Sequence, residues 1–88
     1  MDPAGRPIAW SALEKGATVF GSDGNELGKV TEVVADEQKD IFSGIVFRSG
    51  LLDSERFVPA DRVETITDEG VRLSLLESDV ESLEVYEA

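Results

Sequence analysis

The chain contains no cysteine and no histidine. Without cysteine there is no disulfide scaffold, thiolate zinc site, cysteine nucleophile or redox pair. Without histidine, serine–histidine catalysis, imidazole general bases and histidine pH switches are excluded as well. Basic residues are scarce: 8 Lys and Arg against 19 Asp and Glu give a formal net charge of −11 at pH 7. A surface of that sign repels phosphate backbones and anionic head groups, so neither nucleic acid nor a membrane is an expected partner. No apolar run approaches the ~20 residues that span a bilayer. The opening residues MDPAGRPIAW carry no apolar core of a secretory signal, so a cytoplasmic address is the expectation.

What remains is 88 residues, 41% of them apolar, enough for one small domain with one core. A chain of this size buries only about 60–65% of its unfolded surface, and a net stability of about 4–13 kcal/mol follows. With no cross-link to add to that, self-association or docking is an expected further source of stability.

Residues 1–10, rich in Pro, Gly and Ala, read as a flexible arm. Ser11-Ala12-Leu13-Glu14 has the spacing of a capping box and Gly16 can stop a helix, which makes one turn able to orient Trp10 and Leu13. From Ala17 short apolar runs alternate with turn residues. Ala17–Gly21 and Leu27–Ala35 read as a hairpin around Asp23-Gly24-Asn25. The second strand does not alternate cleanly. Either Gly28 is a bulge that lets Leu27, Val30 and Val33 face inward, or the strand is buried on both faces.

Ile41–Arg48 reads as a third strand, with the continuous run Ile45-Val46-Phe47. A loop at 49–54 carries Leu51 and Leu52 at its tip. Glu55–Val58 is a strand closed by Pro59, Val63–Thr67 another, and Val71–Leu75 a last one after the Asp68-Glu69-Gly70 turn. In that last strand Val71, Leu73 and Leu75 are expected inward, Arg72 and Ser74 outward. Ser78-Asp79-Val80-Glu81 opens a short C-terminal helix whose Val80 and Leu83 make a narrow apolar seam able to pack on the barrel or on a partner. About six short antiparallel strands without a crossover long enough for a helix argue for an all-β sheet curled into a small barrel. The domain is expected over 11–76 and an acidic helix or tail over 77–88.

These residues resemble the PRC-barrel family. The resemblance lies in Gly16, Val19 and Gly24; in Leu27-Gly28-Lys29-Val30; in Ile45-Val46-Phe47; in Val58-Pro59; and in Val63, Ile66 and Gly70-Val71. It covers roughly Leu13 to Leu76. It implies a partially open β-barrel that serves as a docking module, with no family-wide catalytic set. The family's barrels also occur in the photosynthetic reaction-centre H subunit and in a ribosome-maturation factor, which makes a peripheral subunit of a membrane-bound redox assembly an alternative reading by analogy of fold.

Candidate sites are few. Asp23-Gly24-Asn25-Glu26 offers close oxygen ligands but not in the order of a calcium loop, so a hairpin turn is favoured. Asp36, Glu37 and Asp40 share one loop, and a weak divalent-cation site there is a further alternative; a solvated loop is the plainer reading. No metal, cofactor or catalytic residue is expected. Ser22, Ser43 and Ser49 each neighbour a glycine, yet no G-x-S-x-G is present.

The expected function is a non-catalytic protein-interaction module, a self-associating homodimer in the first instance. Its contact residues are expected to be Leu51, Leu52, Phe57, the Val80/Leu83 seam and Trp10. Two leucines at a loop tip either fold back or make a contact. Trp10 and Tyr86 flank the domain, and both types anchor interfaces, although Trp10 is expected to pack on its own barrel. From Glu64 to Ala88 there are eight acidic residues and one basic, Arg72, so a basic partner would dock at that end.

Overall fold

The computed structural model describes residues 8–36, 38–49 and 55–86. They form one sheet of seven strands: β1 (Thr18–Phe20), β2 (Glu26–Asp36), β3 (Ile41–Ser49), β4 (Glu55–Pro59), β5 (Val63–Thr67), β6 (Gly70–Leu73) and β7 (Glu84–Val85). The strands lie in the order β5-β6-β1-β2-β3-β4-β7, and the sheet does not close. The all-β, partly open barrel expected from the chain is what forms.

Two details differ from the expectation of about six antiparallel strands. A seventh strand, β7, follows the C-terminal turn and pairs with β4. One neighbouring pair, β1 with β6, is parallel. Parallel neighbours need a long connection between them, and here the whole of β2 to β5 supplies it in place of a helix.

A single core fills the barrel. Val19, Val30, Ile45, Phe47, Val58, Val71 and Leu73 are all within 2% of complete burial, and each contributes roughly 1.5–3 kcal/mol by leaving water. Leu13, Leu27, Leu75 and Val80 join them, with Val33, Val63, Ile66 and Leu83 packed at the margin. Residues from both ends of the sheet thus reach one cluster, which requires the sheet to curl. Val71, Leu73 and Leu75 are buried while Ser74 is exposed, as the alternation predicts.

The bulge in β2 falls one residue before its expected place. Val19 stands opposite Gly28 and Phe20 opposite Glu26, so Leu27 is the extra residue. A second irregularity skips Thr31 against β3. Together these two offsets turn Leu27, Val30 and Val33 inward. Gly28 is not a turn residue. It sits within β2, where a Cβ would run into the backbone carbonyl of Arg48 on β3. Gly24, at φ +88°, does make the β1–β2 turn, and Gly70 opens β6 against the Thr18 carbonyl.

The helical segments are shorter than their spacing suggests. The first is a 3₁₀ turn over Trp10–Ala12 with no side-chain cap, so Ser11 lies inside it and cannot cap it. The C-terminal one is a 3₁₀ helix over Glu77–Ser82. It starts one residue before Ser78, and the Asp79 carboxylate accepts from the Leu76 N–H at 3.0 Å. Pro59 ends β4 and leads into a 3₁₀ turn over Ala60–Arg62.

Candidate interaction surface

Ile45, Val46 and Phe47 are each completely buried. Alternation along a strand points Ile45 and Phe47 to one face and Val46 to the other. The core contains Ile45 and Phe47 but not Val46. Val46 is therefore covered from outside the barrel.

Strand register identifies what covers it. Glu32 on β2, Val46 on β3 and Phe57 on β4 are direct cross-strand partners, and Glu84 on β7 stands beside Phe57. The Phe57 ring lies over Gly44, where a Cβ would come within 3.0 and 3.1 Å of ring carbons. A Cβ there would meet the Val58 carbonyl of β4 even sooner, so glycine at position 44 accommodates both the neighbouring strand and the ring. Tyr86 stacks on Phe57 with 6.5 Å between ring centroids and 26° between planes.

The C-terminal segment is tied down on both sides of this stack. The Tyr86 N–H donates to the Glu55 carbonyl at 2.9 Å. Arg56 Nη1 donates to the carbonyls of Glu81 and Leu83, at 3.2 and 2.9 Å. The Tyr86 hydroxyl donates to the Glu32 carboxylate. That hydrogen bond, with the negative charge of Glu32 and smaller contributions from burial and Glu55, raises the phenol pKa above its ordinary value of 10.0. Glu55 accepts from the Thr31 hydroxyl at 2.9 Å, and the same hydroxyl lies 3.3 Å from the Val46 carbonyl. The outcome is an aromatic patch on the outside of the barrel, half-buried, with Glu32, Glu55 and Glu84 around it.

The residues expected to make contacts are distributed differently. Phe57 is on this face. Val80 is 2% exposed and belongs to the core, with Leu83 packed against it. The seam expected to meet a partner thus faces the chain's own barrel. Leu83 caps the helix, and its N–H donates to the Val80 carbonyl at 3.1 Å, which keeps the two residues together against the barrel. Trp10 stacks on Phe42 at 5.9 Å and 13°, and the Ile8 N–H donates to the Ile66 carbonyl at 3.0 Å. The described end of the N-terminal arm is accordingly attached to the barrel. Leu51 and Leu52 lie outside the described residues.

Glu32, Glu55 and Val46 were not singled out by sequence. The signal for Val46 is the unbroken Ile45-Val46-Phe47 run, since a strand apolar on consecutive positions is covered on both faces.

Asp23 and Asp36 accept hydrogen bonds within their own turns, while Glu37 lies outside the described residues. Asp23 accepts from the Asn25 N–H at 3.1 Å and from its side-chain amide at 2.9 Å. Asp36 accepts from the Gln38 and Lys39 N–H groups at 3.1 and 3.3 Å. Among the described residues no group of three or more Asp or Glu converges as a metal site. No helix among them is long and apolar enough to cross a membrane.

Compared with known families, residues 15–78 match the model of the PRC-barrel domain. The chain belongs to the PRC-barrel family. The match spans β1 to β6 and ends inside the C-terminal 3₁₀ helix. The aromatic patch of this PRC barrel therefore combines strands inside the family region, β2 to β4, with β7 and Tyr86 beyond it. A search of curated proteins finds no match.

Proposed function

We propose that this PRC-barrel domain is a non-catalytic protein-docking module whose contact surface is the outer face of β2, β3, β4 and β7. The observation that carries the reading is the Phe57–Tyr86 stack held outside the barrel. Aromatic side chains on a rigid sheet, apolar at the centre and polar at the rim, have the composition of interface anchors. The family is commonly an interaction module, and Asp23 and Asp36 are occupied by hydrogen bonds within their own turns.

Self-association remains the competing form of the same reading, because a small core gains from a second copy. Its residues would include Leu51 and Leu52 as well as Phe57. Sedimentation at low micromolar concentration tests it. A dimer that Leu51→Asp converts to monomer supports self-association; a wild-type monomer removes it.

The docking reading itself is tested by affinity enrichment from an extract of the source cells, with the wild type beside Phe57→Asp. A bound protein retained by the wild type and lost by a still-folded Phe57→Asp supports this surface. Equal retention by both overturns it.

A further inference from the structure

We propose that the outer face around Phe57 and Tyr86 takes a lysine- or arginine-bearing segment of another protein, seated by an apolar side chain beside the two rings. This rests on the docking reading above and adds the chemistry of the partner.

The apolar part of the argument is geometric. A hollow of about 420 Å³ is lined by Phe57, Glu84, Val85 and Tyr86. Phe57 does not belong to the core cluster, and both it and Tyr86 are only half-buried. A large apolar side chain placed in this hollow would cover ring surface that now faces water.

The electrostatic part concerns the rim. Glu32, Glu55 and Glu84 come from three different strands and stand around the rings. Glu32 and Glu55 hold neutral partners, the Tyr86 and Thr31 hydroxyls. Such hydrogen bonds orient the carboxylates but leave their charge uncompensated. Arg48 stands directly opposite Glu55 and offsets part of its charge, so the unbalanced charge of the rim rests mainly on Glu32 and Glu84. The other nearby cations are directed elsewhere. Lys29 is drawn to Glu26 at 3.7 Å and to the Thr18 hydroxyl at 2.8 Å. Arg56 turns its guanidinium to the Glu81 and Leu83 carbonyls.

The same charges discriminate between occupants. A second copy meeting this face would bring the same three carboxylates and a further net charge of −11, and like charges juxtaposed at an interface are unfavourable. A basic segment would instead replace that repulsion with attraction and meet carboxylates already oriented.

The probes are two short synthetic peptides, one alternating Lys with Leu, the other Glu with Leu. Each is titrated into the isotope-labelled full chain while amide shifts are followed. Tyr86 is the only tyrosine, so its ring-proton signals report on the patch independently of the amides. The expected result is that the Lys peptide alone shifts Glu32, Val46, Phe57 and Tyr86, with binding that weakens as salt rises. Glu32→Gln with Glu84→Gln should weaken it about tenfold while the amide spectrum remains that of the folded chain. Glu14→Gln with Glu77→Gln, which remove the same charge elsewhere, should change it far less.

Equal binding of the Glu peptide here, shifts confined to another face, or equal loss from both double variants overturns the basic partner. If the Glu peptide engages this face, or neither peptide does while Phe57-dependent enrichment succeeds, the docking reading stands and only the charge inference falls. If enrichment also fails to depend on Phe57, both fall together.

Discussion

Phe57 and Tyr86 stack across the β4–β7 pair, with 6.5 Å between ring centroids, and the stack roofs a sheet face that the barrel core leaves outside. The pairing explains how β7, only two residues long, persists as a strand. Two ladder positions contribute little on their own. The stack, the Tyr86 N–H to Glu55 bond and the Arg56 hydrogen bonds hold the segment in place.

The two phenylalanines of adjacent strands should therefore respond differently to truncation. Phe47 is completely buried in the core, and Phe47→Ala should cost about 3–5 kcal/mol in urea unfolding. Phe57→Ala, at a half-buried outer site, should cost about 1–2 kcal/mol. It should also speed amide exchange in β7 while leaving β3 protected. Equal losses for the two would contradict the assignment of Phe57 to the outer face.

Two glycines make a matching contrast. A methyl at Gly28 meets the Arg48 carbonyl of the neighbouring strand, so Gly28→Ala must part β2 from β3 and should cost about 3 kcal/mol or more. Gly24 has φ +88° and open space around it. Gly24→Ala should cost only about 1–2 kcal/mol of backbone strain. Thermal melts of the two variants rank the effects.

Tyr86 should titrate above the ordinary phenol value when followed by ultraviolet absorbance, because ionisation places a phenolate beside Glu32. Glu32→Gln should bring the midpoint down. The folded state holds this proton more tightly than the unfolded chain. The associated stability is accordingly complete below pH 10.0 and is lost as pH rises from there through the folded pKa. A folded-state midpoint at or below 10.0 would remove the Glu32–Tyr86 hydrogen bond from the description.

Arg56 is predicted to act as the clamp on the C-terminal segment. Arg56→Met keeps the apolar stem but removes both hydrogen bonds to the Glu81 and Leu83 carbonyls, and should cost about 1–3 kcal/mol. Faster amide exchange from Val80 to Tyr86, with β1 and β6 unchanged, identifies the loss as local. Exchange rising evenly through the sheet would argue against it.

Several elements were legible from local pattern. The alternation of Val71, Leu73 and Leu75 predicts their burial, and Asp23-Gly24-Asn25 predicts its turn through backbone preferences of those residues alone. The boundaries that shifted did so for tertiary reasons. The bulge sits at Leu27 in the pairing with β1, and Gly28 beside it is kept free of a Cβ by Arg48 of β3. Val80 and Leu83 read as a surface seam because an apolar pair one turn apart does not say which side it faces. The curled sheet supplies a core for them. The candidate surface was only partly visible, through Phe57 and Tyr86. Glu32 and Glu55 are ordinary solvent-face residues in sequence, and only pairing across β2, β3, β4 and β7 brings them around the rings.

By itself, the sequence determined what chemistry this protein can hold. A chain without cysteine or histidine and with a net charge of −11 has no thiol or imidazole and repels other acidic surfaces. It also determined an all-β domain, because strand periodicity and turn preferences are local. Tertiary structure alone decided the parallel β1–β6 pairing, the seventh strand and the aromatic face outside the barrel. Each depends on which distant strands become neighbours, and that choice is made by burying one shared core rather than by any segment's own preference.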